Sequence, residues 1–98
     1  MQIEYRTRQL ELVCTSIPVA ERRYSERMAE RIHLRIEQIR AAENIGELLR
    51  QRLGRCHALS GDRAGQYAMD QVYPLRIIFI RYRDSLQVAE VQAIVDYH

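Results

Sequence analysis

Lysine is absent from this 98-residue chain, and all 15 of its basic side chains are arginine. A genome rich in G+C produces that bias without selection for chemistry. Guanidinium groups also grip phosphates through a planar fork of donors. Composition does not separate the two readings; position does. Cysteine is scarce. Cys14 and Cys56 are too few and too far apart for a metal knuckle or a disulfide scaffold, so no metal is expected, and they read as reduced thiols packed as small apolar groups. No apolar run approaches the roughly 18 residues needed to span a membrane. The opening MQIEYRTRQLELVC lacks the basic-then-apolar layout of a secretion signal, so a cytoplasmic location is expected. Repeats and low-complexity tracts are missing as well. What remains is one domain over residues 1–98, with 47% apolar and 29% charged residues and a net charge of +2. A chain of this size buries roughly 60–70% of the surface it would expose unfolded.

The apolar pattern divides the chain in two. QIEYR (2–6) alternates as a first strand, and an amphipathic stretch follows at 7–14. Ser16 as an N-cap, Pro18 in the first turn and Glu21 soon after predict a helix start. Tyr24, Met28, Ile32, Ile36 and Ile39 then form one apolar stripe, predicting a long helix over roughly 18–42 that lies across a sheet. A brief helix at about 45–52 stops at Gly54. Beyond Gly54 the period changes to two. RCHALSG, GQYAMDQ, LRIIFIRY and LQVAEVQAIVDY predict four strands, with turns at 60–65, 72–74 and 82–85. Short connections make this half an antiparallel meander. The expected fold is therefore α+β, a twisted antiparallel sheet packed on N-terminal helices. In LRIIFIRY, Leu75, Ile77 and Phe79 share one face, and Arg76, Ile78 and Ile80 share the other. The helices cover the first face; the second has no evident cover, as expected of an apolar patch that awaits a partner.

Several polar residues stand among these strands. His57 faces away from Cys56, Arg63 sits in a turn, and Arg76 opens an apolar run with Asp70 and Asp96 as potential ion-pair partners. Asp96 and His98 are two apart and share a strand face, with Tyr97 between them. Taken singly, each has an ordinary structural explanation. Together they form the inventory of a metal-free ribonuclease. Such an enzyme needs a base for a 2′-hydroxyl, an acid for the leaving 5′-oxygen, and cations where phosphorane charge builds. His57, Asp96 and His98 supply acid–base groups, two of them imidazoles that titrate near neutral pH. Arg63 and Arg76 supply cations, and Tyr67 or Tyr97 can stack on an unpaired base. On the long helix, Arg23, Arg27, Arg31 and Arg35 recur every four residues as a basic column. It reads either as a solvated face with local pairs to Glu26 and Glu30, or as a contact for RNA phosphates or an acidic partner.

The stretch GRCHALSGDRAGQYAMDQVYPLRIIF, followed by the terminal IVDYH, resembles the RelE/ParE superfamily of bacterial toxins. Within it, the HigB-like, plasmid-maintenance killer branch is the nearer match. The shared features are an H-x-L-x-G segment, a GQY strand, a P-x-R-I-I-F strand and a final DYH. The resemblance implies a ribosome-dependent, metal-independent mRNA endoribonuclease, without cofactor, that cuts by 2′-hydroxyl attack. Position by position it implies catalytic roles for His57, Asp96, Tyr97 and His98, and phosphate binding by Arg76 and Arg63. Tyr67 becomes an active-site neighbour, while Arg23, Arg27, Arg31 and Arg35 remain candidate RNA contacts on their spacing alone. It also implies a helix-turn-helix antitoxin partner of the HigA type, with operator DNA bound only by the pair, and no membrane association. Many relatives carry Lys-Gly where this chain has Ser60-Gly61, so one cation near the phosphate is missing. The same superfamily includes ParE-like toxins that bind DNA gyrase without catalysis, and inactive members with a remnant cluster. Fold alone does not choose among them.

Overall fold

The computed structural model describes residues 1–96; Tyr97 and His98 lie outside the described residues. Strand β1 (Gln2–Tyr5) leads into helices α1 (Arg8–Thr15), α2 (Ile17–Arg23), α3 (Glu26–Ala41) and α4 (Ile45–Gln51). Four strands follow: β2 (His57–Ala58), β3 (Gln66–Asp70), β4 (Leu75–Arg81) and β5 (Val88–Asp96). Their order in the sheet is β1-β5-β4-β3-β2. The second half is the expected antiparallel meander, and β1 adds to β5 as a parallel edge strand. Among the described residues no helix is long and apolar enough to cross a membrane.

The long helix expected over 18–42 is two helices. Tyr24 is extended, and the Ser25 hydroxyl accepts a 3.0 Å hydrogen bond from the Met28 amide, starting α3 afresh. The same chemistry starts each of the others, through Thr7 for α1, Ser16 for α2 and Asn44 for α4. Each cap satisfies an orphan amide donor and is worth about 1 kcal/mol. The apolar stripe survives the break. Met28, Ile32, Ile36 and Ile39 of α3 are buried against Met69, Ile77, Phe79, Ala89 and Val91 of the sheet. Each fully buried aliphatic side chain contributes roughly 1.5–3 kcal/mol. Cys14 and Cys56 belong to the same core, where burial pushes their thiols up to about 12 and about 11. Both are therefore protonated and unreactive at neutral pH.

Among the described residues, one charged side chain is buried beside the core. Arg35 is only 9% exposed, and its Nε donates to the Asp70 carbonyl oxygen at 2.8 Å while Nη1 donates to Gln38 Oε1 at 3.0 Å. Burial lowers its pKa, as does nearby Arg31, and Asp70 acts in the opposite sense. Gly54 lies against the guanidinium. A Cβ there would sit 2.6 Å from Arg35 Nε, and the backbone is left-handed, with φ +57. Arg35 is thus a peg joining α3, the loop after α4 and the end of β3. It is not part of a surface column.

Candidate active site on the helix-free face

Opposing residues in paired strands share a face, so the register assigns sides. One row across the sheet is His57–Ala68–Ile78–Ala93, and the next is Asp70–Arg76–Val95. Ala68 and Ile78 are buried yet stand apart from the helix-packed core, which places both rows on the face away from the helices. Ile78 is 2% exposed and Ile80 half-buried, so the apolar patch expected here is not an exposed one. Its central row is Ala68, Ile78 and Ala93, apolar side chains that are buried or half-buried. Ideal spacings of ~4.8 Å between strands and ~3.3 Å along them put the His57 and Arg76 Cα atoms about 12 Å apart. Side chains of those lengths, leaning together, can reach one phosphate.

The local structure fixes the histidine. Its Nδ1 lies 2.8 Å from the Arg55 carbonyl oxygen. A carbonyl oxygen only accepts, so Nδ1 carries the proton and donates it, leaving Nε2 with the lone pair in the neutral ring. Arg55 holds this carbonyl in place with a left-handed backbone, φ 55, and its own guanidinium reaches Asp70 Oδ2 at 3.4 Å. Arg55 was not singled out in the sequence, and its only signal there is its place two residues before His57. Asp70 stands directly opposite Arg76 in the register. Arg55, Arg76 and the Asp70 carboxylate therefore gather at the hairpin end of this face, with the imidazole farther along it on the edge strand β2.

Other expected members lie elsewhere. Asp96 is exposed and pairs in register with Leu75, a residue of the helix-packed side. It is therefore across the sheet from His57, about 17 Å away by ideal spacings. The cause is a β-bulge. The register shifts between Ile78 and Phe79, so that Ala93 pairs with Ile78, Val91 pairs with Phe79, and Gln92 is the extra residue. Glu90 faces away from the helices opposite Ile80, and unbroken alternation from it would have kept Asp96 on that side. Tyr67 is turned toward the helix-packed side. Its ring stacks on Phe79 at 5.5 Å, within the packing of the core, instead of waiting for a base. Arg63 is exposed in the 3-10 turn Gly61–Arg63, beyond the Gln66 end of β3. Arg76 is at the Asp70 end, about 13 Å away along the strand. The basic column does not form. Arg23 belongs to α2 and lines a cleft of about 250 Å³ with Tyr24, Leu10, Gln92 and Ile94, Arg35 is buried, and only Arg27 and Arg31 remain on the outer part of α3. Tyr97 and His98 fall outside the described residues.

No protein-family model matches the chain, and no curated protein matches it in sequence. Solved structures do match. A YoeB/ParE toxin from Agrobacterium tumefaciens is 20% identical, aligns over 100% of both chains and superposes with a TM-score of 0.68. The chain has the YoeB/ParE toxin fold. Two YoeB structures from Staphylococcus aureus agree, one a YoeB–YefM complex and the other a YoeB dimer. Both are 14% identical and align over 100% of this chain and 97% of theirs, with TM-scores of 0.65 and 0.61. In the YoeB/ParE fold of this chain, the helix-free face is the side that carries His57, Asp70 and Arg76.

Proposed function

We propose that this chain is the toxin of a type II toxin–antitoxin system, acting as a metal-independent endoribonuclease on mRNA during translation. The observation that carries the proposal is the pairing, on one sheet face, of an imidazole with a fixed tautomer and an arginine two strands away. The toxin fold agrees with it. His57 Nε2 takes the proton from a 2′-hydroxyl. The 2′-oxygen attacks the adjacent phosphorus, the bond to the 5′-oxygen breaks, and a second acid protonates that oxygen. The products are a 2′,3′-cyclic phosphate and a free 5′-hydroxyl. Arg76 supplies positive charge where the phosphorane becomes most negative. Tyr97 and His98 complete the acid–base set in this reading, and Arg55 joins Arg76 as a second cation. Arg63 contacts RNA flanking the cut.

The DYH ending and the H-x-L-x-G segment favour the HigB-like branch, and with it a helix-turn-helix antitoxin of the HigA type. Operator DNA is then bound by the pair. YoeB, with the same fold, assembles with YefM. Expression of this chain alone in bacterial cells is expected to arrest growth, with new mRNA ends inside translated frames. Those ends disappear when initiation is blocked. Growth arrest with intact mRNA and inhibited gyrase would replace the nuclease with a ParE-like binder, and undisturbed growth would mark an inactive chain.

A further inference from the structure

Asp70 is the meeting point of three arginines. Arg35, from α3, donates through Nε to the Asp70 carbonyl oxygen at 2.8 Å. Arg55, from the chain between α4 and β2, brings its Nε to 3.4 Å from the carboxylate Oδ2. Arg76 stands directly opposite Asp70 on β4. The first contact serves the fold and uses the backbone, and the carboxylate also favours the charged form of Arg35. The second contact is of a different kind. The Arg55 side chain is 80% exposed and that of Asp70 32% exposed, and an ion pair so open to water adds little to stability. Yet the chain that delivers Arg55 is strained, with left-handed backbone at Arg52, Gly54 and Arg55, φ 53, 57 and 55. Strain of this kind clusters at functional sites.

We infer that the Asp70 carboxylate is a built-in rival of the substrate phosphate, occupying Arg55 beside Arg76 until RNA displaces it. The ligand class rests on the ribonuclease reading, to which this adds a residue that sets substrate affinity. Asp70 acts through Arg55, as a positioning residue that touches no reacting atom. A carboxylate and a phosphodiester each present two oxygens that share one negative charge, and a guanidinium fork accepts either. A phosphodiester entering the site must draw Arg55 away from Asp70 and then lie near a like charge. Both steps oppose binding. They also alter its response to salt. An arginine that exchanges one anion for another releases no counterion, so it adds nothing to the salt dependence of binding. Because the pair is exposed and weak, the carboxylate restrains the site without closing it.

The test compares the wild-type chain with Asp70→Asn and Asp70→Glu. Each binds a short, fluorescently labelled 2′-O-methyl RNA, which cannot be cut by internal attack, and anisotropy reads the affinity over a range of salt. Asp70→Asn keeps the size of the side chain and the carbonyl bonded to Arg35, and thermal unfolding reads separately any loss of support for Arg35. This variant is expected to bind on the order of fivefold more tightly at low salt, the equivalent of one exposed ion pair. Its plot of log affinity against log salt should be steeper by about 0.7, the share of one further phosphate contact on a single strand. Asp70→Glu keeps the rival charge and should match the wild type in both. A merely structural Asp70 would move Tm and leave affinity and slope alone. That result, weaker binding by Asp70→Asn, or no detectable binding by any of the three would overturn the inference. The two readings fail separately. A chain that cuts translated mRNA but binds RNA alike with Asp or Asn at this position loses only the rival carboxylate. One that shows the tighter, steeper binding and cuts nothing loses only the nuclease.

Discussion

Arg76→Ala is expected to lower mRNA cleavage on the order of 100- to 1,000-fold, the usual cost of removing one donor that stabilises developing charge. Growth arrest should be lost with it. The fold should survive, because Arg76 is half-buried on the face away from the helices and takes no part in the apolar core. Far-ultraviolet circular dichroism and antitoxin binding check that point. His57→Ala is expected to cost a similar factor, since positioned acid–base groups contribute roughly 10²–10⁴-fold. Arg8→Ala, at an exposed residue that opens α1, serves as the control and should leave cleavage unchanged. Full activity in both the Arg76 and His57 variants would remove this face from the mechanism.

The second large effect concerns stability. Gly54→Ala is expected to cost about 3 kcal/mol, which for a domain of this size lowers Tm on the order of 15 °C. Two contributions add. A left-handed backbone disfavours any side chain by about 1–2 kcal/mol. The new methyl also displaces the Arg35 guanidinium, whose charge-assisted bond to the Asp70 carbonyl is worth about 1.5–3 kcal/mol. Gly61→Ala separates the two, because Gly61 has φ +64 but nothing within 4 Å of its Cβ position. It should show only the backbone part. Thermal unfolding of both variants decides the matter. Equal losses would mean that Arg35 is not the peg described above. Arg35→Met should resemble Gly54→Ala, which no surface RNA contact would do.

Much of the architecture was legible because it follows from local rules. The Ser16 cap and the two-residue period of the last four strands each rest on neighbours in the chain, whereas the short helix stops earlier than Gly54, at Gln51 with a left-handed Arg52 as its cap. The misreadings all involve an event that periodicity does not register. Tyr24 and Met28 keep the stripe's spacing across the break, so the stripe looks continuous although Ser25 restarts the helix. A bulge at Gln92 is one residue long and leaves no compositional mark, yet it sends Asp96 to the other side of the sheet. Arg35 looks like its neighbours at four-residue spacing. Only tertiary packing reveals that Gly54 and Asp70 enclose it. Tyr67 reads as an available ring until the register sets it opposite Phe79. Within the site, His57 and Arg76 were legible as a pair because each lies on a strand whose parity is undisturbed. Arg55 was not, since its part comes from a backbone carbonyl and a contact with Asp70.

The chemistry of the cut ends tests most directly whether an imidazole and an arginine on this sheet face drive internal attack on RNA. Translated mRNA cut in a purified ribosome system is expected to carry 2′,3′-cyclic phosphate on one fragment and 5′-hydroxyl on the other. Those ends should vanish in the His57→Ala and Arg76→Ala reactions. Fragments with 5′-phosphate, or cyclic-phosphate ends that persist in both variants, would contradict the account.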